Sequence, residues 1–315
     1  LAFLLATVAM ALCYRVFIRR ITAISSSING SNAMRLWPTL QAVCFTVCAA
    51  LPVWLALSAM AWFLGRYAEP ESTEASISNG LWVAGLVFLP LEILRQLIRP
   101  HGVTTAHFGW PELVIKPLGQ AVRRIGWVGL TLVFLATFLL LERYVHREIS
   151  ALARIVFAIL MLFIAGTLWR LLDTKSGVVA GLRATQPDSL IAKLEWIWRP
   201  FIIAIPVILA GLSLSGYAYA AGQLTVSLYQ TIWLVVATAV LQGIAERWLL
   251  VSKRRIALRQ LKEQVAIKEQ AEASGAAADL LDVNQMKLSA IDEQTHRLIN
   301  ASVLLVLFSG LLWIW

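Results

Sequence analysis

Glu92 and Arg95, at i and i+3 on one helix face, are the ionisable residues set deepest in an apolar run. Charges inside lipid are costly and normally functional, so the pair could carry a proton or ion relay. It lies about one turn from the polar end of its run, which favours an interfacial ion pair whose charged ends reach the headgroups. His101 and His107 share a polar loop with no Cys or acid at ligand spacing, so hydrogen-bonded interfacial histidines are favoured over a metal site. Ser213, Ser215 and Ser227 have no His or Asp companion at helical spacing, which leaves nucleophilic catalysis without support. Gly102 and Gly109 complete neither GxGxxG nor GxxxxGK, so no loop here cradles a phosphate. Cys13, Cys44 and Cys48 lie within apolar runs without CxxC spacing and read as small buried hydrophobes. No catalytic, cofactor-binding or metal-binding residue is expected, and no cofactor.

These residues need elements to hold them, and composition says which. The 315 residues are 59% hydrophobic and 14% charged, with a mean hydropathy of +0.74. Such a chain is an integral membrane protein. Its formal charge of +9 would suggest nucleic acid in a soluble protein. Here the cations cluster in alternate loops, where they set orientation and meet anionic headgroups, so nucleic-acid binding is given no weight. The segment Arg99 to Trp110 is the reference point: a polar, Pro- and Gly-punctuated connection between the apolar runs 81–98 and 125–141, followed by Lys116, Arg123 and Arg124. The positive-inside rule makes it cytoplasmic.

Counting outward gives an all-α polytopic transmembrane helical bundle of about eight spans, both ends non-cytoplasmic and the terminal spans truncated. The spans fall near residues 1–14, 36–64, 81–98, 125–141, 151–172, 200–220, 224–250 and 298–315. Pro52, Pro90 and Pro206 lie inside spans and are expected to kink them. The acidic stretch Glu69 to Glu74 faces outward. Of the 27 Lys and Arg, only Arg66, Arg143, Arg147 and Arg154 are left on the outer side. Past Lys253, the stripe Leu258, Leu261 and Val265 continues a helix out of the bilayer, and Leu281, Leu288, Ile291 and Leu298 form a second one. Residues 253–297 are thus a cytoplasmic amphipathic helical excursion, either a brace or a solvated hairpin.

The 13 Trp mostly sit near span ends, where interfacial anchoring explains them. No span shows a polar face for a pore, and no internal repeat or inverted pair of broken helices is visible. Without an initiator Met, the chain reads as a segment of a longer polypeptide. A structural or force-coupling role is favoured. The alternatives are a secondary transporter working through Glu92 and Arg95, and a lipid-modifying membrane enzyme working through His101 and His107.

Three stretches in order resemble the large MscS-like mechanosensitive channels of the MscK and MscM type. They are the loop Arg99, Pro100, Gly102, His107, Phe108 and Trp110; the turn Gly216, Tyr217 and Tyr219; and the pre-span segment Asp292, Gln294, Thr295 and Arg297. The resemblance implies a multi-pass domain of the bacterial inner membrane, preceding a pore module that lies outside this segment. It further implies a homo-oligomer, a heptamer, in which residues 1–315 form one peripheral sensor paddle that meets membrane lipids and couples tension to gating in hypo-osmotic shock. Ions would pass through the pore module rather than through this bundle.

Overall fold

In the computed structural model the described residues are 14, 16–21, 23, 37–69, 72–99, 102–106, 108, 110–142, 149–185, 194–274, 298 and 301–315. They are helical, with no strand among them. In chain order the helices are α1 (Trp37–Tyr67), α2 (Thr73–Leu97), the short α3 (Val103–Ala106), α4 (Glu112–Arg124), α5 (Leu130–Glu142), α6 (Ile149–Leu171), α7 (Val178–Thr185), α8 (Glu195–Leu214), α9 (Ala218–Ser274) and α10 (Ala301–Ile314). A π-helical segment, Ile125–Gly129, joins α4 to α5.

Among the described residues, six helices are long and apolar enough to cross a membrane: Trp37–Tyr67, Thr73–Leu97, Glu112–Glu142, Ala151–Leu171, Glu195–Leu214 and Ala218–Lys253. Lipid offers no partner for backbone polar groups, so a run of this composition satisfies them internally as helix. Each overlaps one of the apolar runs 36–64, 81–98, 125–141, 151–172, 200–220 and 224–250, with different bounds. The shorter apolar α10 coincides with 298–315. Of the run 1–14, only Tyr14 is among the described residues, and all of 275–297 lies outside them. Pro52, Pro90 and Pro206 sit inside α1, α2 and α8, each of which continues through its proline.

Several helices begin earlier than their apolar runs, and two of them by roughly two turns or more. The Ser72 side chain accepts the Ala75 N–H at 3.2 Å, and Glu74 lies in the first turn. Cap and dipole together start α2 at Thr73, roughly two turns ahead of residue 81. Glu112–Arg124 reads as loop by polarity but is an amphipathic helix. Its last turn runs directly into the π segment, where the Leu130 N–H reaches back to Ile125 O.

The chain divides into two compact units, residues 1–26 with 40–226 and residues 27–39 with 227–315. In the first, α2 packs between α1 and α5. Ser78 Oγ donates to Ala61 O at 2.6 Å on one side. On the other, a Cβ at Gly80 would stand 3.1 Å from the Phe134 ring. Helix α6 packs between α5 and α8 and supplies much of the core, with Val156, Phe157, Leu160 and Met161 buried. Helix α7 lies on α4, where a Cβ at Gly181 would come 2.8 Å from Val114 Cγ2. The outward faces stay apolar: Phe201, Ile205 and Ile208 of α8 and Leu152, Ile155 and Leu162 of α6 are exposed. Surfaces of this kind suit lipid contact.

In the second unit α10 packs on α9. A Cβ at Gly310 would meet Leu234 Cδ2 at 2.6 Å, and the Trp315 indole N–H donates to Thr231 Oγ1 at 3.1 Å. Helix α9 has 57 residues, about 85 Å at 1.5 Å per residue, against a hydrocarbon layer of about 30 Å.

Candidate functional site

The polar groups of the first unit gather where α2 and α6 end and α4 and α8 begin. Glu92, one turn before the end of α2, is buried. Its Oε1 accepts from Arg95 Nη2 at 2.8 Å and from Gln96 Nε2 at 2.6 Å. Gln96 Nε2 also lies 3.1 Å from Tyr14 OH, and Arg99 Nη1 donates to Gln96 Oε1 at 3.5 Å. Both donors on Glu92 come from its own helix at i+3 and i+4. The arrangement therefore satisfies a buried carboxylate within its own helix.

The loop after α2 folds back on that helix. Thr104 Oγ1 donates to Leu97 O at 2.8 Å, Gly102 N–H to Arg99 O at 2.7 Å, and Trp110 N–H to Thr104 O at 3.0 Å. A Cβ on Gly102 would stand 2.7 Å from both Arg99 O and Leu97 O, so the tight turn admits no side chain there. Arg99 is exposed, while Phe108 and Trp110 are half-buried. Pro100, His101 and His107 lie outside the described residues, as do Asp292, Gln294, Thr295 and Arg297.

At the neighbouring corner, Asp173 caps the turn after α6. Its Oδ2 accepts from Ser176 Oγ at 2.8 Å and Ser176 N at 3.1 Å, and the hydroxyl bond holds the carboxyl below its usual range. Arg183 of α7 forms an ion pair with the buried Glu195 that opens α8. One turn on, the Arg199 guanidinium lies over Trp169 of α6, 5.4 Å from the ring centroid. These clasps tie α6, α7 and α8 together. Nothing in the loop motif pointed to them, because Arg183 and Glu195 belong to different helices; the signal available was an acid set directly before an aromatic pair, Trp196 and Trp198.

The α8–α9 turn explains the Gly216, Tyr217 and Tyr219 motif. Gly216 has φ +102°, with its N–H on Ser213 O at 3.2 Å and the Tyr217 N–H on Leu212 O at 3.1 Å. This is a Schellman cap, which requires a residue free of the Cβ penalty. Tyr217 and Tyr219 are exposed beside it. Where α2 begins and α5 ends, the Thr73 hydroxyl donates to the buried Glu142 Oε1 at 2.9 Å. Arg95 lies in the last turn of α2, Arg123 and Arg124 in the last turn of α4, Arg170 in the last turn of α6 and Arg199 in the second turn of α8, while Arg66 lies in the last turn of α1 and Arg154 near the start of α6. Among the described residues no group of three His, Cys, Asp or Glu could hold a metal ion.

Comparison with known proteins gives this arrangement its family. The chain is 23% identical over 313 residues to the miniconductance mechanosensitive channel MscM of Escherichia coli (strain K12), covering 96% of this chain and 28% of that protein. It is 25% identical over 284 residues to the mechanosensitive channel MscK of the same organism, covering 88% of this chain and 23% of that protein. The chain therefore spans less than a third of either relative's length. No solved structure matches it. Over its whole length, residues 1–315, it matches the mechanosensitive ion channel inner membrane domain 1 family: the chain belongs to that family and is a multi-pass, all-α domain of the inner membrane.

Proposed function

We propose that this chain is the peripheral, tension-sensing domain of a mechanosensitive channel that opens when hypo-osmotic shock stretches the membrane. The observation that carries this is the family match across all 315 residues, on helices whose outward faces are apolar and whose described polar groups form clasps between helix ends. No catalysis is assigned to it. Ions pass through a pore module elsewhere in a longer polypeptide, and the assembly is a homo-oligomer, a heptamer by resemblance.

Clustering of the Lys and Arg in alternate loops supports placing those loops in the cytoplasm, with about eight crossings in all. Tension favours whichever state occupies more membrane area, so a domain whose helix tilt differs between two states biases gating by its differential area. Pro52, Pro90 and Pro206, each deleting an internal helix bond, and the π segment are the places where tilt can change. The loop motif Arg99 to Trp110 and the Gly216 turn hold the helix ends in register during that change. The Glu92–Arg95 pair is structural rather than a relay.

The test is survival. Cells lacking their own mechanosensitive channels and expressing the full-length protein should survive a hypo-osmotic downshift that lyses the parent strain. Lysis despite membrane insertion contradicts the proposal.

A further inference from the structure

We infer that Arg199 holds the phosphate of an anionic glycerophospholipid, of the phosphatidylglycerol class, at the junction of α6 and α8. The inference rests on the proposed function only in placing this junction at headgroup depth.

Glu195 and Arg199 stand at i and i+4 on α8, the order that favours an intrahelical ion pair. That pair is not made. Glu195 binds Arg183, and Arg199 is turned onto the face of Trp169, 5.4 Å from the ring centroid. A guanidinium is always charged and carries five in-plane donors, which stacking on an indole does not use. Among the described residues no carboxylate pairs with Arg199. Its Nε is buried without a hydrogen-bond partner, so an acceptor from outside the protein meets this half-buried side chain through its Nη groups, which stacking on the indole face leaves available.

The surroundings define that acceptor. Trp169 is 60% exposed and Trp196, at i−3 to Arg199, is 74% exposed, the indole placement of a membrane interface. The apolar Ile202 and Ile205 continue the exposed surface of α8 beyond them, a path for an acyl chain that a free anion would not use. Arg183, Glu195 and Arg199 together leave one positive charge, so a singly negative headgroup neutralises the cluster. A phosphodiester presents two non-bridging oxygens that the planar guanidinium can grip with two parallel N–H bonds.

Native mass spectrometry of the purified full-length protein, titrated with phosphatidylglycerol and with phosphatidylcholine of the same acyl chains, tests this. Wild type should retain phosphatidylglycerol in preference to phosphatidylcholine. Arg199→Gln should weaken that retention about tenfold, the scale of one charge-assisted contact. Arg199→Lys, which keeps the charge without the planar fork, should recover part of it and guard against a folding artefact, and Arg170→Gln should retain lipid as wild type does. Equal phosphatidylglycerol retention by Arg199→Gln and wild type overturns the inference. So does competition by soluble glycerol phosphate at matched concentration, which would mark a general anion site. A channel that opens under tension yet shows no Arg199-dependent retention removes the lipid site and leaves the tension-sensing function standing.

Discussion

The Gln96 amide donates to the Glu92 carboxylate at 2.6 Å, one turn back on α2, and both side chains are buried. The carboxylate is held chiefly by this bond, because Arg95 is half exposed and a pair screened in that way contributes little. Glu92→Ala should remove the shorter of the two bonds of the Gln96 amide, leaving Tyr14 OH as its acceptor, and destabilise the domain by about 1 kcal/mol. Glu92→Gln keeps an acceptor and should cost less. Thermal unfolding in detergent micelles measures both, and an unchanged midpoint for Glu92→Ala would contradict this account of the network.

Gly102 and Gly126 make opposite predictions. A methyl at 102 meets two carbonyl oxygens at 2.7 Å, whereas at 126 nothing lies within 4 Å. Gly102→Ala should cost about 1–3 kcal/mol, the usual penalty for forcing backbone apart. Gly126→Ala should be near neutral or slightly stabilising. Comparing their unfolding midpoints checks the loop geometry directly.

At the α8–α9 turn, φ of +102° at Gly216 is a conformation that L side chains resist. Gly216→Ala should destabilise by about 1–2 kcal/mol, and Gly216→Asn by less, since asparagine tolerates positive φ better. Limited proteolysis should show faster cutting at this turn in the alanine variant. Equal rates would argue against the cap.

What was legible in the chain follows from which forces act locally. Apolar runs long enough to span lipid must be helices, so positions of the cores of α1, α5, α6 and α8 could be read from composition. Helix starts governed by one side chain were harder: Ser72 extends α2 back to Thr73 because its hydroxyl caps the first turn, while the polar residues that follow resemble loop. The helix α4 has no side-chain cap and was hidden by its polar residues, which resemble loop. The π segment has no signature, since Ile125–Gly129 is equally compatible with α geometry. Pairings across helices, Arg183 with Glu195 and Arg199 with Trp169, depend on packing that no spacing encodes. The glycine of the Gly216 turn was visible as a motif, and its position just past a helix end was the signal for its role.

Asp173 gives a pH prediction. The Ser176 hydroxyl holds its carboxyl below the usual range, so the folded turn binds a proton less readily than the unfolded chain does. Its contribution is therefore fully present above the ordinary aspartate range, near pH 4, and is lost as pH falls through and below it. Hydrogen exchange at residues 173–178, corrected for intrinsic rates, should show the turn opening as pH drops from about 6 to about 3. Asp173→Asn should flatten that response, and an equal response in both proteins would count against the cap.

The central claim is that these helices convert lateral tension into gating. Its most direct measurement is a pressure-ramp patch recording from giant spheroplasts lacking their own mechanosensitive channels. The cells would express the full-length protein or, separately, the same protein with residues 1–315 removed. The account predicts step currents from the intact protein, with the threshold displaced or the openings lost on removal. Openings at an unchanged threshold without residues 1–315 would contradict it.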